Sequence, residues 1–391
     1  MIADRNVSTQ HTGMIEAYGG ALVDLMAPAE QQQQLRSSAS KTIECSDRNA
    51  CDVELLIVGG FSPERGFMCK ADYETVVSSY RTASGRLFGL PIVMDTNRED
   101  IVIGDRLLLT YRGQDLAILH VEDFWEPDKV IEAKSCYKTT ALEHPAVRMI
   151  AMERGRFYIG GAIEGLELPR RIFPCLTPAQ TRAMLPASTD VVAFQCRNPI
   201  HRAHYELLTR ALQAPNVGSN AVVLVHPTCG PTQQDDISAA VRHQTYERLA
   251  AELSNPRILW AYLPYSMHMA GPREALQHMI IRRNYGCSHF IIGRDMAGCK
   301  SSLSGEDFYG PYDAQKFASS CAPELMMKTI PSLNLVYTDE EGYVTAEHAK
   351  ARGLHVKKLS GTQFRKLLRS GEDIPEWFAF RSVVEVLRAA T

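Results

Sequence analysis

The sequence predicts a mixed α/β protein of three parts: a β-rich domain over residues 1–169, a parallel α/β domain over residues 170–328 and a small α/β domain over residues 329–391. Two observations carry this division. Short apolar runs separated by turn pairs fill the first part, whereas strand-like runs alternate with helix-like runs after about residues 169–178. At about 150 residues per domain, a chain of 391 residues has room for two or three domains.

The first domain is predicted from short apolar runs. Residues 1–40 carry little pattern, and we expect a loose arm or a small hairpin there. From about residue 52 the prediction is mainly β, with an apolar run of strand length at 53–57, strands at 101–109, 116–121 and 157–163, and one helix at 70–80.

The second and third domains follow from alternating patterns. Strands are predicted at 191–194, 221–225, 258–262 and 290–292, and helices at 201–213, 239–253 and 272–285. This alternation is typical of a doubly wound parallel sheet, whose ligands lie beyond the carboxyl ends of the strands. The last domain is predicted to contain a strand at 333–337, a helix with Thr362 as N-cap and a second helix after Pro375.

Composition and charge narrow the class of protein. The chain is 45% hydrophobic, and 42 basic against 45 acidic residues leave a formal net charge of -3. A protein that coats nucleic acid usually carries a basic excess. No apolar run approaches the roughly 18 residues of a membrane helix, the N-terminus lacks a secretory signal, and the ten cysteines include no C-x-x-C pair. We expect a soluble cytoplasmic protein. A sequence in the first 40 residues that targets the protein to an organelle stays an open alternative.

The most informative segment follows the predicted strand at 191–194. It reads Gln195-Cys196-Arg197-Asn198-Pro199-Ile200-His201-Arg202-Ala203-His204. Pro199 suits the first turn of a helix, and His201 and His204 share one face of that turn. The free N–H groups and the positive dipole end of the helix favour an anion there. Two imidazoles, one guanidinium and two side-chain amides together suit a polyphosphate.

Other interpretations of this segment stay open on the residues alone. The two histidines could simply lie on the first turn of a capped helix and bind no ligand. A zinc site would need a third ligand, and none stands nearby at metal spacing. Cys196 could be a nucleophile with a histidine as its base, although the neighbouring arginine favours anion binding.

A second segment, 293–298, follows the predicted strand at 290–292. Gly293 would let the backbone approach a ligand, and Arg294 would add a second cation. The alternative is an ordinary turn in which Arg294 pairs with Asp295. Two arginines from different strand ends could converge on one pocket, which favours the anion site. Asp235 and Asp236 fit a solvated acidic turn better than a Mg²⁺ site.

These two segments make the chain similar to the ATP sulfurylase (sulfate adenylyltransferase) family. The family signature Gln-Thr-Arg-Asn-Pro-x-His-x-x-His stands at 195–204 with Cys196 in place of Thr, and Gly-Arg-Asp-x-Ala-Gly stands at 293–298. Further matches at 55–68, 226–237, 270–276, 308–315 and 360–378 extend over nearly the whole chain. The resemblance implies a PUA-like N-terminal domain, a Rossmann-like catalytic domain with an HxxH nucleotidyltransferase motif, and a small C-terminal α/β domain. Some family members also carry a kinase domain, which we do not expect in this chain.

The resemblance also implies an activity and a role for each motif residue. ATP and sulfate would give adenosine 5′-phosphosulfate and pyrophosphate by direct in-line attack, with Mg²⁺ accompanying ATP and no dedicated protein site for the metal. Sulfate would contact Gln195, Arg197 and the backbone of Ala297. The implied catalytic residues are Cys196, Arg197, Asn198, His201, His204 and Arg294. The nucleotide would lie against Gln195, Cys196, Arg197, Asn198, His201, His204, Gly293, Arg294, Asp295, Met296 and Leu335.

The resemblance further implies a homo-oligomer. From the near-neutral charge and the lack of a long apolar run, we expect neither nucleic acid nor a membrane as a partner. The chain departs from the family pattern at Cys196, Gln233, Met296 and His268, and the cations lost at 233 and 268 bear on affinity and rate more than on reaction type. Two alternatives stay open: another nucleotidyltransferase with the same histidine turn, and a relative with a decayed site that binds an anion or RNA.

Overall fold

The computed structural model describes residues 13–232 and 237–390. Over these residues the strands form three sheets of seven, five and three strands, one in each part of the chain. Within the same ranges, no helix is both long enough and apolar enough to span a membrane.

The N-terminal part is a mostly antiparallel sheet with helices around it. Its helices are α1 (Ala29–Ser38), α2 (Asp47–Ile57), α3 (Lys70–Ser79), α4 (Lys129–Tyr137) and α5 (Pro145–Met152). Its strands are β1 (Lys41–Glu44), β2 (Gly66–Phe67), β3 (Met94–Thr96), β4 (Arg106–Tyr111), β5 (Gln114–His120), β6 (Asp123–Trp125) and β7 (Phe157–Gly165). The predicted helix at 70–80 and the predicted strands at 116–121 and 157–163 are confirmed as α3, β5 and β7.

Several predictions for this part are wrong. Helix α1 stands where a loose arm or hairpin is expected; it buries no side chain and so lacks an apolar stripe, and residues 1–12 lie outside the described ranges. The apolar run 53–57 is the end of helix α2, whose residues 49–57 are all buried, Asp52 and Glu54 included, so no alternation of buried and exposed positions marks it as a helix. The strand expected at 101–109 begins only at Arg106, because Gly104, with φ of 93°, turns the chain.

The middle part is a parallel sheet in the order β10-β9-β8-β11-β12. Its strands are β8 (Val191–Phe194), β9 (Val222–Val225), β10 (Ile258–Trp260), β11 (His289–Ile292) and β12 (Lys328–Pro331). Its helices are α6 (Pro178–Met184), α7 (Arg202–Ala211), α8 (Ala239–Leu253), α9 (Pro272–Asn284) and α10 (Asp313–Cys321). The predicted doubly wound parallel sheet is therefore confirmed, and β12 extends it to residue 331.

The C-terminal part adds a small antiparallel sheet and three helices over the described residues. Its elements are β13 (Leu335–Thr338), β14 (Gly342–Thr345), α11 (Ala346–Arg352), β15 (Val356–Lys357), α12 (Gly361–Ser370) and α13 (Arg381–Ala389). The N-cap of α12 is Ser360, not Thr362 as predicted. The Ser360 hydroxyl accepts a hydrogen bond from the Gln363 N–H at 3.2 Å, and the Gln363 side chain accepts one in return, which forms a capping box.

Strand β8 separates two hydrophobic cores. Val191 and Ala193 belong to the core shared with the N-terminal part, whereas Val192 and Phe194 belong to a second core that includes Val383 of α13. Because alternate residues of a strand face opposite sides of the sheet, the two faces of β8 contribute to different cores, and each of these cores includes residues of one neighbouring domain. All four residues of the strand are consequently buried.

Candidate active site

The candidate site lies where the middle sheet changes its winding direction. β8 is flanked by β9 on one side and by β11 on the other, with Val192 opposite His289 and Ala193 opposite Phe290. The strands are parallel, so the carboxyl ends of β8 and β11 lie at the same edge. The segments 195–204 and 293–298 leave from these two ends, at the switch point where such sheets bind ligands.

The two histidines of the first segment are linked by a hydrogen bond. His201 is the N-cap of α7, and its backbone N–H donates to His204 Nδ1 at 3.1 Å. Their rings stack with centroids 5.6 Å apart. Because Nδ1 of His204 is an acceptor, its ring proton sits on Nε2, which makes Nε2–H a donor. Burial lowers the pKa of His201 and lowers that of His204 to about 4, so both imidazoles are neutral near pH 7.

The C-terminal part encloses His201. The His201 ring lies 4.9 Å from the Phe378 ring and 5.5 Å from the Phe364 ring, centroid to centroid. The Arg202 N–H donates to the Phe378 carbonyl at 3.1 Å. Nδ1 of His201 is buried and finds no hydrogen-bond partner among the described residues. A buried polar atom of this kind usually has a partner, so a bound ligand is its natural complement.

Gln195 is held by a buried arginine that the sequence analysis missed. Arg282 of α9 is fully buried and donates through Nη2 to Gln195 Oε1 and to the His226 carbonyl. The Gln195 amide nitrogen therefore faces the strand end, where it donates to Thr228 Oγ1 at 3.2 Å. Burial lowers the pKa of Arg282 to about 10, which still leaves it charged at neutral pH.

Helix α8 fixes the backbone that follows Gln195. Nη1 of Arg242 donates to the Arg197 carbonyl at 3.1 Å, and the Tyr246 hydroxyl donates to the Asn198 carbonyl at 3.1 Å. Cys196 is packed in the same place, and burial raises the pKa of its thiol to about 12. A buried thiol with a raised pKa stays protonated at neutral pH, which disfavours the cysteine mechanism that the sequence left open.

The second segment forms a tight turn with unusual backbone angles. Asp295 and Ala297 have φ of 55° and 51°, and the Gly298 N–H donates to the Asp295 carbonyl at 3.0 Å. Within the described residues, nothing accepts a hydrogen bond from the Ala297 N–H. Arg294 Nε lies 3.4 Å from Asp295 Oδ2, and both side chains are nearly half exposed. The turn and its ion pair are thus both present, but an exposed pair of this kind holds Arg294 only weakly.

The remaining residues that the sequence analysis singled out lie outside the two segments 195–204 and 293–298. Leu335 opens β13, where it pairs with Thr345, so it lies in the C-terminal sheet. His268 is buried, and its N–H donates to Glu274 Oε1 at 2.7 Å. Burial lowers the pKa of His268 well below its usual value, so this position supplies no charge. Gln233, Asp235 and Asp236 lie outside the described residues.

The donors at the strand ends suit oxyanions. Over residues 13–232 and 237–390, no group of three or more His, Cys, Asp or Glu side chains is placed to hold a metal ion. The groups that meet at the site are imidazole N–H, amide and guanidinium donors, whereas Mg²⁺ prefers oxygen ligands. These donors therefore fit an oxyanion better than a divalent cation.

The fold and the histidine turn together define a nucleotidyltransferase. Residues 174–390 match the family model described as ATP-sulfurylase, and residues 15–168 match that of a PUA-like domain. The chain belongs to the ATP sulfurylase family.

Curated relatives and a solved structure agree with this assignment. The sulfate adenylyltransferase of Phaeosphaeria nodorum is 41% identical over 386 residues, covering 95% of this chain and 67% of the relative. The Saccharomyces cerevisiae enzyme is 39% identical, with 95% and 75% covered, and the Kluyveromyces lactis enzyme is 38% identical, with 96% and 77% covered. The solved structure of a hexameric APS kinase from Thiobacillus denitrificans has a TM-score of 0.75 at 26% identity and covers 97% of this chain and 69% of that chain.

Proposed function

We propose that the chain is a sulfate adenylyltransferase, which joins sulfate to the AMP of ATP and gives adenosine 5′-phosphosulfate and pyrophosphate. The observation that carries this proposal is the meeting of the segments 195–204 and 293–298 at the switch point of the sheet. One segment brings neutral donors and an arginine, and the other brings a second arginine beside the Ala297 N–H, which has no acceptor among the described residues. The curated relatives with this name support the reaction.

Sulfate would bind at the carboxyl end of β8. Arg282 holds the carbonyl oxygen of Gln195 inward, so the amide nitrogen would donate to sulfate there in exchange for its contacts with Thr228 Oγ1 and the Cys196 carbonyl. Arg197 would supply a bidentate guanidinium, and the Ala297 N–H would supply a backbone donor from the second segment. Arg294, at the end of β11, would lie against the nucleotide together with Gly293, Asp295 and Met296.

The histidines would hold the β- and γ-phosphates. Both are neutral, so they contribute directed hydrogen bonds and no charge. His204 can donate only through Nε2, because its Nδ1 already accepts the His201 N–H. As negative charge grows on the departing pyrophosphate, such fixed donors stabilise it without having to reorganise.

The reaction would be one direct displacement. A sulfate oxygen attacks the α-phosphorus, and the bond from that phosphorus to the bridging oxygen breaks, so the electron pair leaves with pyrophosphate. Sulfate is fully deprotonated at neutral pH, hence no general base is needed. The task of the protein is then to position two anions that repel each other and to neutralise their charge.

Two further features belong to this proposal. Mg²⁺ would enter with ATP as the counterion of its phosphates, and Leu335 would contact the adenine. The chain would act as a homo-oligomer, which is supported by the hexameric state of the similar Thiobacillus denitrificans protein.

The proposal is tested by pyrophosphate release from Mg-ATP, measured on the full chain with and without sulfate. Molybdate provides a second arm: its adduct with AMP should hydrolyse at once and so draw the reaction forward. We expect release only when one of the two oxyanions is present. Release that is independent of both, or absent with both while ATP still binds, would contradict the proposal; the second result would point to an anion- or RNA-binding relative.

A further inference from the structure

A large cavity lies between the histidine turn and the C-terminal helices. Its volume is about 660 Å³. Asn198, Pro199 and His201 form one wall, and α12 forms the opposite wall, with Arg365 and Arg369 among its lining residues. The cavity is thus continuous with the candidate active site, while its far wall comes from a domain to which the sequence analysis assigned no phosphate contact.

The charge of this cavity is entirely basic among its described lining residues. Arg365 and Arg369 carry charge, and the other lining residues are uncharged: Asn198, Pro199, His201, Ile237, Ser238, Val241, Gly361, Phe364, Leu368, Leu387 and Ala390. Neither arginine forms a hydrogen bond or an ion pair with a described residue. They stand four apart on α12, on the same face, where like charges destabilise a helix by a few tenths of a kcal/mol. An anion in the cavity would remove that repulsion.

The proposed reaction needs cations on this side of the histidine turn. ATP brings several negative charges, and the neutral imidazoles of His201 and His204 offset none of them. Positive charge is also absent at His268, whose imidazole burial keeps neutral by lowering its pKa. Arg365 and Arg369 of α12 line the same cavity as His201, and both are exposed and so accessible to an anion. The β- and γ-phosphates held by His201 would lie in this cavity.

Side-chain contacts of the C-terminal part fix the position of α12 relative to the histidine turn on the other side of the cavity. Phe364, next to Arg365 in the chain, has its ring 5.5 Å from that of His201, and Phe378 lies on the same imidazole. The hydrogen bond from the Arg202 N–H to the Phe378 carbonyl fixes this contact at the first turn of α7. The distance between α12 and the histidine turn is therefore set by direct contacts.

We propose that Arg365 and Arg369 bind the β- and γ-phosphates of ATP, and the pyrophosphate that leaves, from the side opposite His201. This inference rests on the proposed function, since it assigns these residues to its leaving group. The C-terminal domain would then supply the cations of the pyrophosphate subsite, and the strand ends of the middle sheet would supply the sulfate subsite.

The test compares Arg365→Ala and Arg369→Ala with Lys366→Ala, an exposed cation on the same helix that does not line the cavity. In the reverse direction, we expect KM for pyrophosphate to rise about tenfold or more in each arginine variant, because a charge-assisted hydrogen bond is lost. KM for adenosine 5′-phosphosulfate should stay within about twofold. Arg365→Lys should recover part of the loss, and thermal unfolding reports whether each variant is folded.

Pyrophosphate binding by calorimetry separates this inference from the proposed function. Weaker binding in both arginine variants, with Lys366→Ala like the wild type, would support the subsite even if no turnover were found. Pyrophosphate binding and KM that are equal in the arginine variants, Lys366→Ala and the wild type would overturn it, whether or not sulfate-dependent turnover is present.

Discussion

The backbone N–H of His201 donates to Nδ1 of His204 at 3.1 Å. This contact caps helix α7 and at the same time selects the tautomer of His204, because an accepting Nδ1 requires the proton on Nε2. The same imidazole therefore has a structural nitrogen and a nitrogen that is available to a ligand. Substitutions can address the two separately.

His204→Asn should preserve the cap and abolish the donor. The asparagine carbonyl can accept the His201 N–H in place of Nδ1, but the side chain does not reach as far as Nε2. We expect a folded protein whose kcat falls by about 10²–10³, the usual effect of removing one donor to a developing charge. Thermal unfolding and sulfate-dependent pyrophosphate release measure the two effects. Full activity in this variant would show that His204 only caps the helix.

Arg197→Ala should remove turnover and leave the fold intact. Its backbone carbonyl, held by Arg242, is unaffected by the change, whereas the guanidinium that would bring sulfate to the α-phosphate is lost. We expect a decrease in rate of at least about 10²-fold. The control is Arg248→Ala, an exposed arginine on α8. Activity near that of the wild type would remove Arg197 from the sulfate site.

Arg282→Lys should weaken sulfate binding more than ATP binding. Lysine cannot reproduce the contacts of the guanidinium with both Gln195 and the His226 carbonyl, so the amide of Gln195 loses its orientation. We expect KM for sulfate to rise about tenfold, with a smaller change for ATP. Arg283→Lys is the matched control, because its guanidinium contacts the Glu16 and Leu325 carbonyls elsewhere. Equal changes in both KM values would point to a general loss of structure.

The pH dependence of stability should reveal the buried neutral imidazole of His204. The folded state lowers its pKa to about 4, whereas the unfolded chain takes up this proton near pH 6.5. The contribution to stability is therefore complete above about pH 6.5 and is lost as the pH falls toward 4. Burial raises the pKa of Asp52 and Glu54 to about 7, which acts in the opposite sense, so the comparison is between wild type and His204→Asn. The Tm of the wild type should fall relative to that of the variant between pH 6.5 and 4.5; parallel curves would contradict this.

The middle domain was the most predictable part of the fold. Its strands are short apolar runs bounded by turns, and the helix predicted at 239–253 has the observed bounds of α8. The sequence was misleading where burial removes the helical pattern: residues 49–57 of α2 are all buried, polar side chains included, so the run 53–57 resembles a buried strand. It was uninformative for α1, which buries nothing.

The motif residues of the candidate site could be predicted from the sequence, whereas the residues that contact or face them from other elements could not. The residues 195–204 and 293–298 carry recognisable donors at strand ends, and the parallel topology brings them to one edge. The role of Arg282 depends on its contact with Gln195, which lies 87 residues away in the chain, and nothing local to α9 signals it. Arg365 and Arg369 likewise look like ordinary surface cations until the packing of the C-terminal domain places them opposite His201.

Alternate residues of β8 belong to two different cores, and this arrangement affects the orientation of the residue that follows the strand, Gln195. A slip of one residue along this strand would turn Val191 and Ala193 toward the C-terminal helices and would turn Val192 and Phe194 toward the N-terminal domain. A shift of one residue in this strand would therefore disrupt the packing of both cores. The direction in which Gln195 points therefore depends on both cores, each of which also contains residues of a flanking domain.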